Sequence, residues 1–104
     1  MGKARFEIEL LPLARTQLNE LRVYEHRLIV QRIREQLSHE PDKPTRNRKL
    51  LGTVPASFAY KPPLWELRVG EYRAFYDVDY VGSIVRVRSV RHKPPHKTIQ
   101  ELLE

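Results

Sequence analysis

Trp65-Glu66-Leu67-Arg68-Val69-Gly70-Glu71-Tyr72-Arg73-Ala74-Phe75-Tyr76 is the stretch that decides the fold of this 104-residue chain. Trp65, Leu67 and Val69 alternate with Glu66 and Arg68 before Gly70-Glu71, and Tyr72, Ala74 and Tyr76 alternate with Arg73 and Phe75 after it, the period of two that a strand with one buried face imposes. Glycine at the first of two central loop positions fits a type II′ hairpin turn. That turn predicts a register. Val69 lies opposite Tyr72, Leu67 opposite Ala74 and Trp65 opposite Tyr76 on one apolar face, with Arg68 opposite Arg73 on the other. Facing like charges cost stability, and two explanations stay open: a bound anion, or relief by Glu66 or Asp77.

Working outward, the turn residues Tyr80-Val81-Gly82-Ser83 lead into Ile84 to Val90, a third strand of the meander. Its alternation is blurred by Ile84 and Val90. Ile99 to Leu103 reads as a short helix docking through Leu102 and Leu103. Upstream, Pro41, Pro44, Pro55, Pro62 and Pro63 break up a long basic connection, with room for a short strand at Lys49-Leu50-Leu51. A connection this long in a small domain is usually functional or mobile. Before it, Phe6, Ile8 and Leu10 form a first strand, and Pro12 suits the first turn of a helix. From there to His39 the apolar spacing is helical. The line Ala14, Leu18, Leu21, Leu28 does not merge with Ile29, Ile33, Leu37, so we expect either two helices broken near Val23-Tyr24 or one kinked helix. Pro41 ends the helical region by pushing its predecessor out of the α region.

The length allows one domain, residues 1–104, with a single core. Nineteen Lys and Arg against thirteen Asp and Glu leave a net charge of +6, with no cysteine. Disulfides and thiolate metal sites are therefore excluded. No stretch has the length and apolarity of a membrane span, and Met1-Gly2-Lys3-Ala4-Arg5-Phe6 lacks an apolar leader, so the expected location is cytoplasmic. Phe6 also stands where an N-myristoylation motif requires Ser or Thr. The basic surplus fits nucleic acid, ribosomes or an acidic protein, although solubility alone could account for it. Its distribution favours a partner. Lys43, Arg46, Arg48, Lys49 and Lys61 fall in one acid-free tract, and Arg86, Arg88, Arg91, His92, Lys93, His96 and Lys97 in another.

His92 and His96 have the spacing of a helical zinc pair, but Pro94-Pro95 forbids a helix between them and no further ligands lie nearby. No metal or other cofactor is expected. Arg, Lys and His at the end of a sheet do fit metal-free RNA cleavage, in which a 2′-hydroxyl loses a proton, a phosphorane gains cationic support and a 5′-oxygen is protonated. Histidine can carry either proton, and Arg can hold two phosphate oxygens. A basic docking surface without chemistry fits the same residues.

The hairpin, together with Arg48-Lys49-Leu50-Leu51-Gly52 and Val85-Arg86-Val87-Arg88-Ser89-Val90-Arg91-His92-Lys93, resembles the RelE/ParE superfamily of type II toxins across nearly the whole chain. The resemblance implies an α+β, RelE-like fold, an antiparallel β-sheet packed against N-terminal helices. It also implies a toxin silenced by a cognate antitoxin, with no membrane role. RelE-type members cut mRNA on the ribosome without metal, whereas ParE-type members poison DNA gyrase. Arg73 falls on the family's phosphate-contacting arginine, and Lys93 lies close to a second catalytic arginine. His92 and His96 fall where other nuclease members place His or Tyr. Two RelE-branch lysines become Leu64 and Glu66, and Ile99 stands near the place of a base-stacking tyrosine. Glu66 is then a candidate base. The expected catalytic set is Arg73, His92, Lys93, His96 and Glu66. The expected RNA-binding set is Arg48, Lys49, Lys61, Arg68, Arg86, Arg88, Arg91 and Lys97.

Overall fold

A computed structural model describes residues 5–104, so the expectation about the leader at Met1 to Ala4 lies outside the described residues. The elements run β1 (Glu7–Leu10), α1 (Pro12–Asn19), α2 (Val23–Leu37), β2 (Arg48–Gly52), β3 (Leu64–Val69), β4 (Tyr72–Asp79), β5 (Ile84–His92) and α3 (Ile99–Leu103). The helical region is broken at Glu20-Leu21-Arg22, just before the expected Val23-Tyr24. Pro12 opens α1. The Arg48 guanidinium donates to the carbonyls of Gln36 and His39, satisfying the C-terminal end of α2.

The five strands form one sheet in the order β1-β5-β4-β3-β2. Strands β2 to β5 are antiparallel neighbours, and β1 joins the edge parallel to β5. The hairpin register is the one the turn predicts, including Arg68 opposite Arg73. Gly70 has φ +56°, the conformation a II′ turn asks of its first central residue. Ala14, Leu18, Ile29, Ile33 and Leu37 of the helices bury against Trp65, Leu67, Ala74, Tyr76, Val85 and Val87. At roughly 1.5–3 kcal/mol for each large apolar side chain, this layer is the main source of stability. On the opposite face Leu64, Phe75, Leu102 and Leu103 form a second, smaller core with Phe58 and Tyr60 packed against it. Thus α3 and the segment after β2 cover part of that face, and Glu66 and Arg73 near the hairpin are themselves buried.

An irregularity in β5 decides which of its side chains reach each face. Phe75 pairs with Ser89 but Tyr76 pairs with Val87, so β5 carries one extra residue, a β-bulge at Arg88. The extra residue explains the blurred alternation, because Val85, Val87 and Val90 all reach the helix-side core. Gln17 of α1 secures the bulge, its Oε1 accepting from Val90 N at 2.6 Å and Ser89 Oγ at 3.0 Å. Gln17→Ala would strand these two donors at a buried site, and is expected to cost about 1–3 kcal/mol. Thermal unfolding of the variant should show a clear drop in Tm; an unchanged Tm would mean the bulge holds its register without this clamp.

Candidate active site on the sheet face away from the long helices

Strand alternation places Lys49, Glu66, Arg68 and Arg73 on the face away from the long helices. Lys49 pairs with Glu66 across β2 and β3, and Glu66 pairs with Phe75 across β3 and β4. Arg73 pairs with Arg68 on one side and Arg91 on the other, making a row of three arginines. Beyond β5, Lys93 N donates to the Glu71 carbonyl at 2.6 Å, which holds the exit of the strand against the hairpin tip.

Glu66 is the electrostatic centre of this set. It is buried at 6% exposure, and its Oε2 has no hydrogen-bond partner. Burial pushes the carboxyl pKa above the ordinary glutamate value, while Arg73, Lys49, Lys93 and Arg68 pull it back, in that order. A buried carboxyl whose Oε2 has no partner, lying in the field of four cations, is a candidate proton-transfer group. Arg73 is its nearest cation, with Nε 3.9 Å from Glu66 Oε1. Arg73 Nη1 donates to the carbonyls of Gly70 and Tyr72, both at 2.9 Å, fixing the guanidinium over the turn. Desolvation lowers the Arg73 pKa, Glu66 raises it, and Arg68 lowers it again. Of the two reliefs open for the Arg68–Arg73 pair, Glu66 supplies one; Asp77 is engaged elsewhere, by Arg88 at 2.7 and 3.3 Å.

Several residues expected at the site are elsewhere or occupied. His92 pairs with Tyr72 and packs edge-on to its ring at 5.3 Å, with Nε2 3.4 Å from Glu71 Oε2. It therefore lies on the helix side of the sheet and is not brought together with Arg73. The bulge is the reason: continued alternation from Val87 would have put position 92 on the other face, and one inserted residue flips it. His96 is exposed in the turn closed by Lys97 N to the Pro94 carbonyl, near Glu101 at the start of α3. Lys97 shares that exposed turn.

Among the expected RNA-binding residues, Arg48 is spent on α2 and Arg88 on Asp77. Arg86 lies 3.1 Å from Asp79 and 3.7 Å from Glu9. Lys61 is exposed, its backbone N–H held by Asp77. Arg91 is half-buried and donates to Ser89 Oγ, the Leu102 carbonyl and Ser57 Oγ, so it is engaged in packing. Of the proposed cations, Lys49, Arg68 and Lys93 gather with Arg73 around Glu66. No group of three or more His, Asp or Glu among the described residues could hold a metal ion, and no helix among them is long and apolar enough to cross a membrane.

Two solved structures share this architecture. The toxin–antitoxin complex RelBE2 from Mycobacterium tuberculosis contains a chain 22% identical over 88% of this one and 95% of its own length, with a TM-score of 0.67. The archaeal RelE–RelB complex from Pyrococcus horikoshii OT3 contains one that is 16% identical over 88% and 98%, also with a TM-score of 0.67. No curated protein sequence matches the chain significantly. A family model, the ParE toxin of the parDE type II toxin–antitoxin system, matches residues 8–94, from β1 through the exit of β5. That span includes Lys49, Glu66, Arg68, Arg73 and Lys93, and the chain belongs to this toxin family within the RelE/ParE superfamily.

Proposed function

We propose that the chain is the toxin of a type II toxin–antitoxin pair and acts as a metal-independent, ribosome-dependent mRNA endoribonuclease. The observation that supports this most directly is the buried Glu66 carboxyl, with one oxygen unclaimed, set beside Arg73 in a ring of Lys49, Arg68 and Lys93. In this reading Glu66 takes the proton of a ribose 2′-hydroxyl, whose oxygen then bonds to the adjacent phosphorus. Arg73 carries the charge that develops on the phosphorane oxygens. The bond to the 5′-oxygen breaks, and the leaving oxygen takes a proton from the Lys93 ammonium or from water, giving a cyclic phosphate and a 5′-hydroxyl end. Arg68 and Lys49 hold flanking phosphates. His96 stays a candidate donor only if the Pro94–Lys97 turn moves; His92 requires a rearrangement of the strand. A cognate antitoxin with acidic groups would cover the same cations, in keeping with the toxin–antitoxin complexes that share the fold.

A second reading is a toxin that binds DNA gyrase, and one finding favours it: the family model that matches is that of ParE. Brief induction in cells separates the two. The nuclease should produce new 5′ ends within translated mRNA, abolished when translation is blocked, and purified toxin should cut mRNA on programmed ribosomes. Intact mRNA with gyrase-linked DNA breaks would replace the first reading by the second.

A further inference from the structure

Arg91 faces the site without joining it. Its guanidinium lies 5.0 Å from the Phe58 ring centroid, and Phe58 lies 5.9 Å from the Phe75 ring. Phe75 is fully buried and is the direct cross-strand partner of Glu66. The same guanidinium reaches three separate elements: Nε donates to Ser89 Oγ at 2.8 Å, Nη1 to the Leu102 carbonyl of α3 at 2.6 Å, and Nη2 to Ser57 Oγ at 2.9 Å. All of its donor nitrogens are used, and its planar fork suits three divergent acceptors as an ammonium does not.

We propose that Arg91 is a positioning residue for the Glu66–Arg73 site, clamping Phe58 and α3 over Phe75 so that the side of Glu66 away from the cations stays dry. This rests on the reading of Glu66 as the proton-transfer group. The physical chain is short. Phe58, Leu102 and Leu103 pack with Phe75 in the second core, Ser57 N donates to the Leu103 carbonyl at 2.7 Å, and the Arg91 fork ties the five-residue α3 to β5. Water reaching Phe75 would hydrate the neighbouring carboxyl and favour its charged form. The charged groups acting on Glu66 are Lys49 from β2, Arg68 from β3, Arg73 from β4 and Lys93 beyond β5. On α3, Glu101 is engaged with Thr98 in the capping box. Arg91 is thus a poor RNA ligand, contrary to the sequence expectation, and a determinant of the site's chemistry.

The test is an NMR titration of the Glu66 side-chain carboxyl in the full-length chain, needing neither RNA nor ribosomes. Arg91→Lys keeps the charge but cannot reach all three acceptors, and the Glu66 midpoint should shift to lower pH. Phe58→Ala, which leaves Arg91 in place and removes the ring, should shift it the same way and covers the case in which Arg91→Lys fails to fold. Ribosome affinity should be retained in Arg91→Lys while the single-turnover rate at neutral pH falls. An unmoved midpoint in the folded variants overturns the proposal, as does a loss confined to RNA affinity, which would mark Arg91 as a direct contact. If the midpoint moves but the parent chain cuts no RNA, the nuclease reading fails and the clamp stands.

Discussion

Glu66→Gln should reduce single-turnover cleavage by about 10²–10⁴-fold, the usual loss on removing a general base, while improving stability relative to the parent as pH rises. Both outcomes have one cause. Burial raises the Glu66 pKa above its ordinary value of 4.5, so the folded chain holds this proton more tightly than the unfolded chain does. The stability contributed by that proton is fully present below the unfolded value and is lost as pH climbs through the folded one. Glutamine keeps the neutral form at every pH. The difference in Tm between variant and parent should therefore be smallest in acid and widen upward through the Glu66 titration. Thermal unfolding across pH reads this directly, and a constant difference would show that Glu66 does not titrate abnormally. A candidate active-site group held in a form that costs stability is the expected signature of function overriding packing.

The hairpin was fully legible because its information is local. Gly70 sets the turn, the turn sets the register, and a one-residue error would have exposed Trp65, Leu67 and Tyr76. The parallel pairing of β1 with β5 could not be read, since nothing in Phe6 to Leu10 names its partner strand. The site was legible in part. Arg73 and Glu66 follow from the same alternation, and Lys49 follows once β2 is known to pair with β3. The side of the sheet that His92 takes could not be read, because a bulge is a tertiary event: its clamp, Gln17, lies 73 residues from Val90 in sequence. The blurred pattern at Val90 was the available signal, and it admitted a bulge as well as a ragged strand end. Arg86, Arg88 and Arg91 look like free cations in the sequence, which shows charge without showing its partners. Asp79 and Asp77 neutralise the first two, and backbone and hydroxyl oxygens occupy the third.

Arg73→Ala is expected to slow the cleavage step by about 10²–10³-fold, roughly the 2–4 kcal/mol that one preorganised donor to a developing oxyanion supplies. The expectation follows from how the guanidinium is held. Nη1 is anchored on the Gly70 and Tyr72 carbonyls and Nε faces Glu66. A donor fixed before substrate arrives needs no reorganisation in the transition state, so its loss should appear in the rate more than in ribosome affinity, to which Arg68, Lys49 and Lys93 would also contribute in this reading. Some stability is lost as well, about 1–2 kcal/mol for the two turn hydrogen bonds, which sets the temperature at which rates are compared. A second readout separates the loss of a phosphate ligand from a loosened hairpin. Arg73 is the largest influence holding the Glu66 pKa down, so its removal should push that carboxyl further up, and the residual activity should rise to its plateau at higher pH than in the parent. Arg73→Lys, which keeps the charge, should leave the pH profile near its original place while recovering only part of the rate, because an ammonium lacks the planar fork that reaches the turn carbonyls and a phosphate oxygen from separate nitrogens. The double variant with Glu66→Gln should fall well short of the product of the two single losses, as expected for groups acting on one transition state. If the Arg73→Ala chain cuts ribosome-bound mRNA at the parent rate, with its pH profile unmoved, this face of the sheet is a docking surface and the chemistry assigned to it is wrong.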